Sequence, residues 1–259
     1  MIEKTCPCCG EVVRAEKPKV RPRVHRLLCG DSTSAADVQR LMAGARARWV
    51  WTDPPYNIAY GSRSDHEWRP QGREILNDAL GDKFPEFVRA FTAQIKVVVE
   101  PGAMLYMAMS TQEWPVVDGI VRASGFHWSS TIIWKKNALV LQRKDYHTQF
   151  EAVWYGWESS ASRLCPLEDR TQSDVWEIDR PARSDEHPTM KPLELVARAL
   201  RNSSHPGDLG FEPFSGSGTT LAAAESLGRL CYAMELDPKY VAAALERLAL
   251  MGLEPRRIA

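Results

Sequence analysis

The 259-residue sequence lacks the features that would place a chain in a membrane or in an oxidising compartment. No apolar run approaches the length needed to cross a bilayer, and the N-terminus has no signal-peptide pattern. Three of the six cysteines lie between residues 6 and 9, which is not the spacing of a disulfide framework. The formal net charge is zero, so composition alone does not indicate a polyanionic partner. These absences predict a soluble globular protein of the cytoplasm.

Residues 1–26 differ in composition from the rest and are predicted to form an appendage. Cys6 and Cys9 make a Cys-x-x-Cys knuckle of the kind that holds zinc. Because a structural zinc site needs four ligands and no second pair follows, both zinc ligation and a free knuckle stay open. From Arg14 to Arg26, basic residues alternate with prolines. This basic arm either follows a phosphate backbone or is simply solvated.

Helical and strand patterns alternate through residues 27–259. Residues 84–99 carry apolar side chains at helical spacing, and residues 102–109 form an apolar run of strand length. Such alternation predicts one three-layer α/β domain with a mainly parallel sheet. Residues 60–82 and 158–187 are polar and irregular, and we expect them to be long loops.

A rigid turn, which we call the acidic corner, is predicted where the apolar strand at residues 48–52 ends. The sequence there is Thr52-Asp53-Pro54-Pro55-Tyr56-Asn57. Neither proline can donate a ladder hydrogen bond, and the residue before each is held extended. The corner therefore presents one carboxylate, free carbonyls and an aromatic ring, which suit a planar base with an exocyclic amino group. The motif taken alone also fits an ordinary strand-ending turn.

A glycine turn near the end of the chain is predicted to bind a nucleoside. Phe211-Glu212-Pro213-Phe214-Ser215-Gly216-Ser217-Gly218-Thr219-Thr220 reads as a strand, a turn and a helix start. It lacks the Gly-Lys-Ser/Thr of phosphate loops and the third glycine of the dinucleotide fingerprint. The next strand ends at Glu235, where a carboxylate is placed to accept from ribose hydroxyls. For the glycines alone, a tight packing turn remains the alternative.

Together these two motifs resemble the S-adenosylmethionine-dependent amino-methyltransferases that modify DNA bases. His187-Pro188-Thr189-Met190-Lys191-Pro192 and Gly30-Asp31-Ser32 add to the match. The order, with the catalytic corner first and the cofactor loop last, is similar to the permuted β group of that family. The resemblance covers roughly residues 24–251. It implies a Rossmann-like sheet with one antiparallel strand, and a short target-recognition segment at residues 158–187.

The resemblance also implies residue roles. Tyr56 would stack on a flipped base while the Asp53 carboxylate and the Pro54 carbonyl accept hydrogen bonds from its amino group. The catalytic residues it implies are Asp53, Pro54, Pro55 and Tyr56. The residues it implies for S-adenosylmethionine are Asp31, Lys191, Glu212, Phe214, Gly216, Gly218, Thr219, Thr220 and Glu235. Among them, Lys191 would pair with the cofactor carboxylate, and Glu212 stands where the family often has Asp. No cysteine nucleophile is required, so we expect Cys29, Cys165 and Cys231 to be core thiols.

The family resemblance implies DNA as the partner. The aspartate at position 53 is similar to the first motif residue of the N6-adenine enzymes, whereas N4-cytosine enzymes often carry serine there. N6 of adenine is therefore the expected target, and N4 of cytosine is the alternative. Protein-glutamine methyltransferases have a related corner with asparagine, but their cofactor loop comes first. An inactive DNA-binding relic is a further alternative, although all expected catalytic positions are filled. A homodimer is one of the oligomeric states that the sequence leaves open.

Overall fold

The structure, a computed structural model, describes residues 2–5, 12–15, 24–58, 76–140, 145–180 and 191–257. Near the N-terminus, strands β1 (Ile2–Thr5) and β2 (Val12–Ala15) pair antiparallel as a separate two-stranded sheet. The sequence did not predict this hairpin. The knuckle residues Cys6 and Cys9 lie outside the described residues, as do residues 16–23 of the basic arm.

The main domain alternates strands and helices. Its strands are β3 (Arg26–Cys29), β4 (Ala47–Thr52), β5 (Val99–Met109), β6 (Phe126–Val140), β7 (Thr148–Glu158), β8 (Val175–Glu177), β9 (Leu209–Glu212) and β10 (Leu230–Glu235). Its helices are α1 (Ala35–Met42), α2 (Phe84–Val98), α3 (Trp114–Ala123), α4 (Leu193–Ser203), α5 (Thr219–Ser226) and α6 (Pro238–Leu250), with a short 3-10 helix at Gly81–Lys83. None of the helices in this described part has the length and hydropathy of a membrane span.

The eight strands form one sheet in the order β3-β10-β9-β4-β5-β7-β6-β8. Strand β7 runs antiparallel to both of its neighbours, and every other neighbouring pair is parallel. This confirms the predicted Rossmann-like, mainly parallel sheet with one antiparallel strand.

Helices cover both faces of the sheet, which makes three layers. One core packs the apolar sides of α1, α2 and α3, and the other packs those of α4, α5 and α6. Successive residues of β4 alternate between the two cores, with Val50 in the first and Trp49 and Trp51 in the second. A strand buried on both faces reads as a continuous apolar run, which explains the sequence before the corner. Gly210 of β9 is required here, because a Cβ would lie 2.2 Å from the ring of Trp49.

The order of the strands reverses between β4 and β9. These two strands are parallel neighbours, with Trp49 opposite Gly210 and Val50 opposite Phe211. The chain moves outward from β4 to β5 on one side and from β9 to β10 on the other. Open α/β sheets bind ligands at such a switch point, beyond the carboxyl ends of the strands. The acidic corner after β4 and the glycine turn after β9 therefore lie side by side.

Some local expectations differ from the structure. Cys165 and Cys231 are buried as predicted, but Cys29 is exposed because it ends β3, which lies at the edge of the described sheet next to β10. Strand β8 lies within the segment expected to be irregular. With three residues, it is too short to show a periodic pattern.

Candidate active site

A cavity of about 470 Å³ opens at the switch point, a size in the ordinary range for small-molecule sites. The predicted residues that line it are Asp31, Asp53, Pro54, Pro55, Tyr56, Lys191, Glu212, Phe214, Gly216, Thr219, Thr220 and Glu235. The structure thus brings both motifs, and residues far apart in sequence, to one cavity.

The acidic corner is held by side chains from several elements. The Tyr56 hydroxyl, which has one proton, lies 2.9 Å from Asp53 Oδ1 and 3.3 Å from Glu151 Oε2, and it donates to the nearer carboxylate of Asp53. The backbone N–H of Tyr56 donates to Asp78 Oδ1 at 2.9 Å. Burial, followed by the charges of Asp53 and Glu151, raises the pKa of Tyr56 well above its ordinary value. Tyr56 therefore stays a neutral phenol whose ring and hydroxyl are fixed beside the Asp53 carboxylate.

Two lysines and two carboxylates form what we call the acid–lysine cluster: Asp53, Lys136, Glu151 and Lys191. Lys191 Nζ lies 2.7 Å from Asp53 Oδ2 and 3.1 Å from Glu151 Oε2. Lys136 Nζ lies 2.6 Å from Glu151 Oε1. Burial opposes ionisation of Glu151, but Lys191 and Lys136 outweigh it and lower its pKa to about 2. Glu151 is therefore ionised at neutral pH, and the cluster pairs two acidic with two basic side chains.

Sequence reasoning assigned no role to Lys136 or Glu151. The sequence does contain a signal that could have identified them, because each is a charged residue at the end of an apolar run within a strand. Glu151 directly precedes buried Ala152 in β7, and Lys136 comes two residues after buried Trp134 in β6. Lys191 is found at the acidic corner, with two carboxylates as partners. The contact of Lys191 with a cofactor carboxylate, which the resemblance implied, stays a prediction.

On the opposite side of the cavity, the buried carboxylate of Glu212 and the half-buried carboxylate of Glu235 shape the glycine turn. Glu212 Oε1 accepts from the N–H of Phe214 at 3.0 Å, and Oε2 accepts from the Thr220 hydroxyl at 2.8 Å. Glu235 Oε2 accepts from the N–H of Gly216 at 2.8 Å. Burial raises the pKa of Glu212 well above its ordinary value, and it raises the pKa of Glu235 as well. Both groups line the cavity while they also hold the backbone of the turn.

The two glycines of the turn have different roles. Gly216 has φ +50°, and a Cβ placed there would meet no atom within 4 Å, so the backbone is open to a ligand. Gly218 has φ +81°, and its Cβ would lie 3.0 Å from Ala244 Cβ of α6. Gly218 is not among the described residues that line the cavity and packs closely against that helix, and its contact with the cofactor stays a prediction.

Asp31 lies at the cavity edge after β3. Its Oδ1 accepts from both the N–H and the hydroxyl of Thr33, each at 2.8 Å. Asp31 therefore stabilises the turn before α1 and also exposes a carboxylate to the cavity.

Three other predicted features lie outside the residues that the structure describes. These are the arginine-rich part of the loop at residues 59–75, residues 187–190 of the motif before α4, and the knuckle. Among the residues that are described, no group of three or more His, Cys, Asp or Glu side chains is arranged to hold a metal ion. Zinc at Cys6 and Cys9 stays a prediction.

Comparison with known proteins gives a family for this chain. The family model N6_N4_Mtase, described as DNA methylase, matches residues 47–246. DNA adenine methyltransferase YhdJ of Escherichia coli (strain K12) is 26% identical over 231 residues, which cover 77% of this chain and 75% of YhdJ.

Two solved structures share the fold. The M1.HpyAVI–SAM complex superposes with a TM-score of 0.68 at 18% identity, covering 87% of this chain and 99% of that one. The cytosine-N4-specific PvuII DNA methyltransferase gives a TM-score of 0.66 at 17% identity, covering 92% and 90%. Since the family model spans most of the main domain, including the acidic corner and the glycine turn, the chain belongs to the N6_N4_Mtase family of DNA methylases.

Proposed function

We propose that this chain transfers a methyl group from S-adenosylmethionine to the exocyclic amino group of a base in DNA, at N6 of adenine. One observation carries the proposal: Asp53 and Tyr56 after β4, and Gly216 after the neighbouring β9, line a single cavity. Such a cavity would hold a base with an amino group next to a nucleoside cofactor. Membership of the DNA methylase family supports DNA as the substrate.

The cofactor side of the cavity fits S-adenosylmethionine. Gly216 leaves its backbone open, and Glu235, which lines the cavity at the end of β10, would accept hydrogen bonds from ribose hydroxyls. Ser215 lines the cavity, and its hydroxyl is buried without a hydrogen-bond partner among the described residues, which leaves a polar group for a ligand or a water molecule to satisfy. When bound, this cofactor supplies an electrophilic methyl group on a sulfonium centre. M1.HpyAVI, which shares the fold, was solved as a SAM complex.

On the base side, the chain's own residues orient the acceptor nitrogen. A base inside a duplex cannot reach the cavity, so it must be flipped out at a cost of a few kcal/mol. Tyr56 offers a ring for stacking, and the Asp53 carboxylate and the Pro54 carbonyl accept hydrogen bonds from the amino group. These contacts direct the nitrogen lone pair towards the glycine turn, so that catalysis depends on positioning and electrostatics.

Adenine is favoured over cytosine by two observations. The corner begins with Asp53, and a relative over most of the chain is named a DNA adenine methyltransferase. The second candidate is N4 of cytosine, because an enzyme named cytosine-N4-specific has the same fold. Sequencing DNA from cells that express the protein, with detection of modified bases, distinguishes the two. We expect N6-methyladenine in a short motif, and N4-methylcytosine alone would show that the second candidate is correct.

The domain boundaries remain part of the proposal. We assign residues 27–259 to catalysis and residues 158–187 to target recognition, with residues 1–26 as an appendage that contacts the DNA backbone. In the described part of the recognition segment, Arg180 lines the cavity and Arg163 lies over the ring of Trp157. A segment this short predicts a short or loosely read site, which a long, strictly read motif in the same sequencing data would contradict. We further propose a cytoplasmic protein, with a homodimer as a prediction for light scattering.

A further inference from the structure

The side chain of Lys191 places a hydrogen-bond donor next to the acceptor at the acidic corner. Lys191 Nζ and Asp53 Oδ2 are 2.7 Å apart, and both side chains line the cavity. The same ammonium lies 5.1 Å from the centroid of the Tyr56 ring. The carboxylate, the ammonium and the Tyr56 ring therefore lie together in one part of the cavity.

Both groups retain hydrogen-bonding capacity. An ammonium has three N–H groups, and within the described part of the chain Lys191 pairs with the two carboxylates of Asp53 and Glu151. A carboxylate accepts about four hydrogen bonds. Asp53 receives one from Tyr56 and one from Lys191. One more donor and one more acceptor can thus be directed at a single ligand edge.

The four DNA bases present different edges to such a pair. Adenine has its amino donor at N6 beside the ring acceptor N1, and cytosine has its amino donor at N4 beside the acceptor N3. Guanine and thymine carry a carbonyl beside a ring N–H, which reverses the pattern. A carboxylate next to an ammonium is complementary to the edges of adenine and cytosine. With guanine or thymine, the carboxylate would face a carbonyl and the ammonium would face a ring N–H, so these buried polar groups would be left unpaired.

We propose that Lys191 is a base-reading residue: it donates a hydrogen bond to the ring nitrogen beside the methylated amino group while Asp53 accepts from that amino group. This inference rests on the proposed function and adds a determinant of base identity to it. For an adenine target the ring nitrogen is N1.

The surrounding charges keep Lys191 in this role. Burial works against its charge, but the carboxylates of Asp53 and Glu151 outweigh that effect and raise its pKa above the ordinary value. Glu151 is in turn paired with Lys136, which is 7% exposed. Lys191 is therefore held as a charged donor at a fixed position, and Glu151 and Lys136 are its positioning residues.

The test is a double-mutant cycle in which one change is made in the enzyme and the other in the substrate. Duplexes carrying the sequence that the wild-type protein methylates are made with adenine or with 1-deazaadenine at the target, where C–H replaces N1. Their kcat/KM values and their binding constants in the presence of S-adenosylhomocysteine are measured for wild type and for Lys191→Met. Lys135→Met is the matched control, since Lys135 lies next to Lys136 in β6 but pairs with exposed Glu177.

We expect the deaza substitution to reduce wild-type and Lys135→Met kcat/KM by about 10- to 100-fold, the size of one charge-assisted hydrogen bond. In Lys191→Met that penalty should shrink by at least about 10-fold, because the contact is already absent. The intrinsic effect of the ring change on the amino group is common to all proteins and cancels. Binding constants should follow the same pattern.

Three outcomes would overturn the inference. An unchanged deaza penalty in Lys191→Met, whether or not the KM for S-adenosylmethionine rises, would assign Lys191 to another partner such as the cofactor. Equal wild-type rates on both duplexes would exclude the contact, and this result does not depend on any variant. If Lys191→Met does not fold, Lys191→Gln takes its place in the cycle. A wild-type protein that methylates no DNA base would instead refute the proposed function, and the inference with it. If the target proves to be cytosine, 3-deazacytosine replaces 1-deazaadenine.

Discussion

Replacing Glu151 with glutamine tests the electrostatics of the acid–lysine cluster most sharply. Glu151→Gln keeps the size of the side chain but removes one of the two negative charges. Lys136, which is 7% exposed, then loses the carboxylate at 2.6 Å. Lys191 keeps Asp53 as its remaining carboxylate partner. We expect a protein that still folds but is clearly less stable at neutral pH.

The magnitude follows from two independent arguments. The pKa of Glu151 is about 2 in the folded protein against an ordinary 4.5, which corresponds to about 3 kcal/mol of stability at pH 7. Removing one partner of a buried ion pair generally costs about 3–5 kcal/mol. Because the folded pKa is depressed, this contribution is fully present above pH 4.5 and is lost as the pH falls towards 2. It should be less than half as large at pH 3.

Urea denaturation of wild type and Glu151→Gln at pH 7 and pH 3 measures both values. Glu177→Gln is the matched control, since its pair with Lys135 is exposed and should contribute no more than about 1 kcal/mol. Adding Lys136→Met to Glu151→Gln removes the stranded ammonium and should restore much of the loss. If Glu151→Gln were as stable as Glu177→Gln at pH 7, or if its loss of stability did not shrink at pH 3, the acid–lysine cluster would not be a coupled ionic unit.

Three further predictions concern catalysis, the cofactor and the packing at the switch point. Asp53→Ala should abolish methyl transfer while the affinity for S-adenosylmethionine, measured by calorimetry, changes only a few-fold; full activity would refute the catalytic assignment. Glu235→Ala should instead weaken that affinity first, and an unchanged binding constant would remove Glu235 from the cofactor site. Gly210→Ala should destabilise the fold by about 1–3 kcal/mol, because its Cβ would lie 2.2 Å from the Trp49 ring, whereas Gly119→Ala in α3, with nothing within 4 Å, should stabilise it by about 0.5–1 kcal/mol in thermal unfolding.

The parts of the site that depend on local chemistry could be predicted from the sequence. Two consecutive prolines after an apolar run determine where β4 ends, and the glycines before α5 indicate a turn of unusual conformation. The parallel sheet then brings the two carboxyl ends together, because β4 and β9 are neighbours at the switch point. The pattern thus predicted the α/β class and the two motifs, whereas the family resemblance implied the Rossmann-like sheet that brings them together.

Partners joined only by tertiary structure could not be predicted. The pairing of Lys136 and Lys191 with Glu151 depends on the register of β6 against β7 and on the position of the segment before α4. Likewise, Gly216 and Gly218 are equivalent in a motif, and only the approach of α6 separates the one facing the cavity from the one that packs. In each case the missing information was which distant element lies alongside.

The central claim is amino-group methylation of DNA, and the most direct measurement is mass analysis of nucleosides from DNA incubated with the protein and S-adenosylmethionine. We predict N6-methyldeoxyadenosine with wild type and none with Asp53→Ala. DNA without any methylated amino base, or the same yield from Asp53→Ala, would contradict the claim.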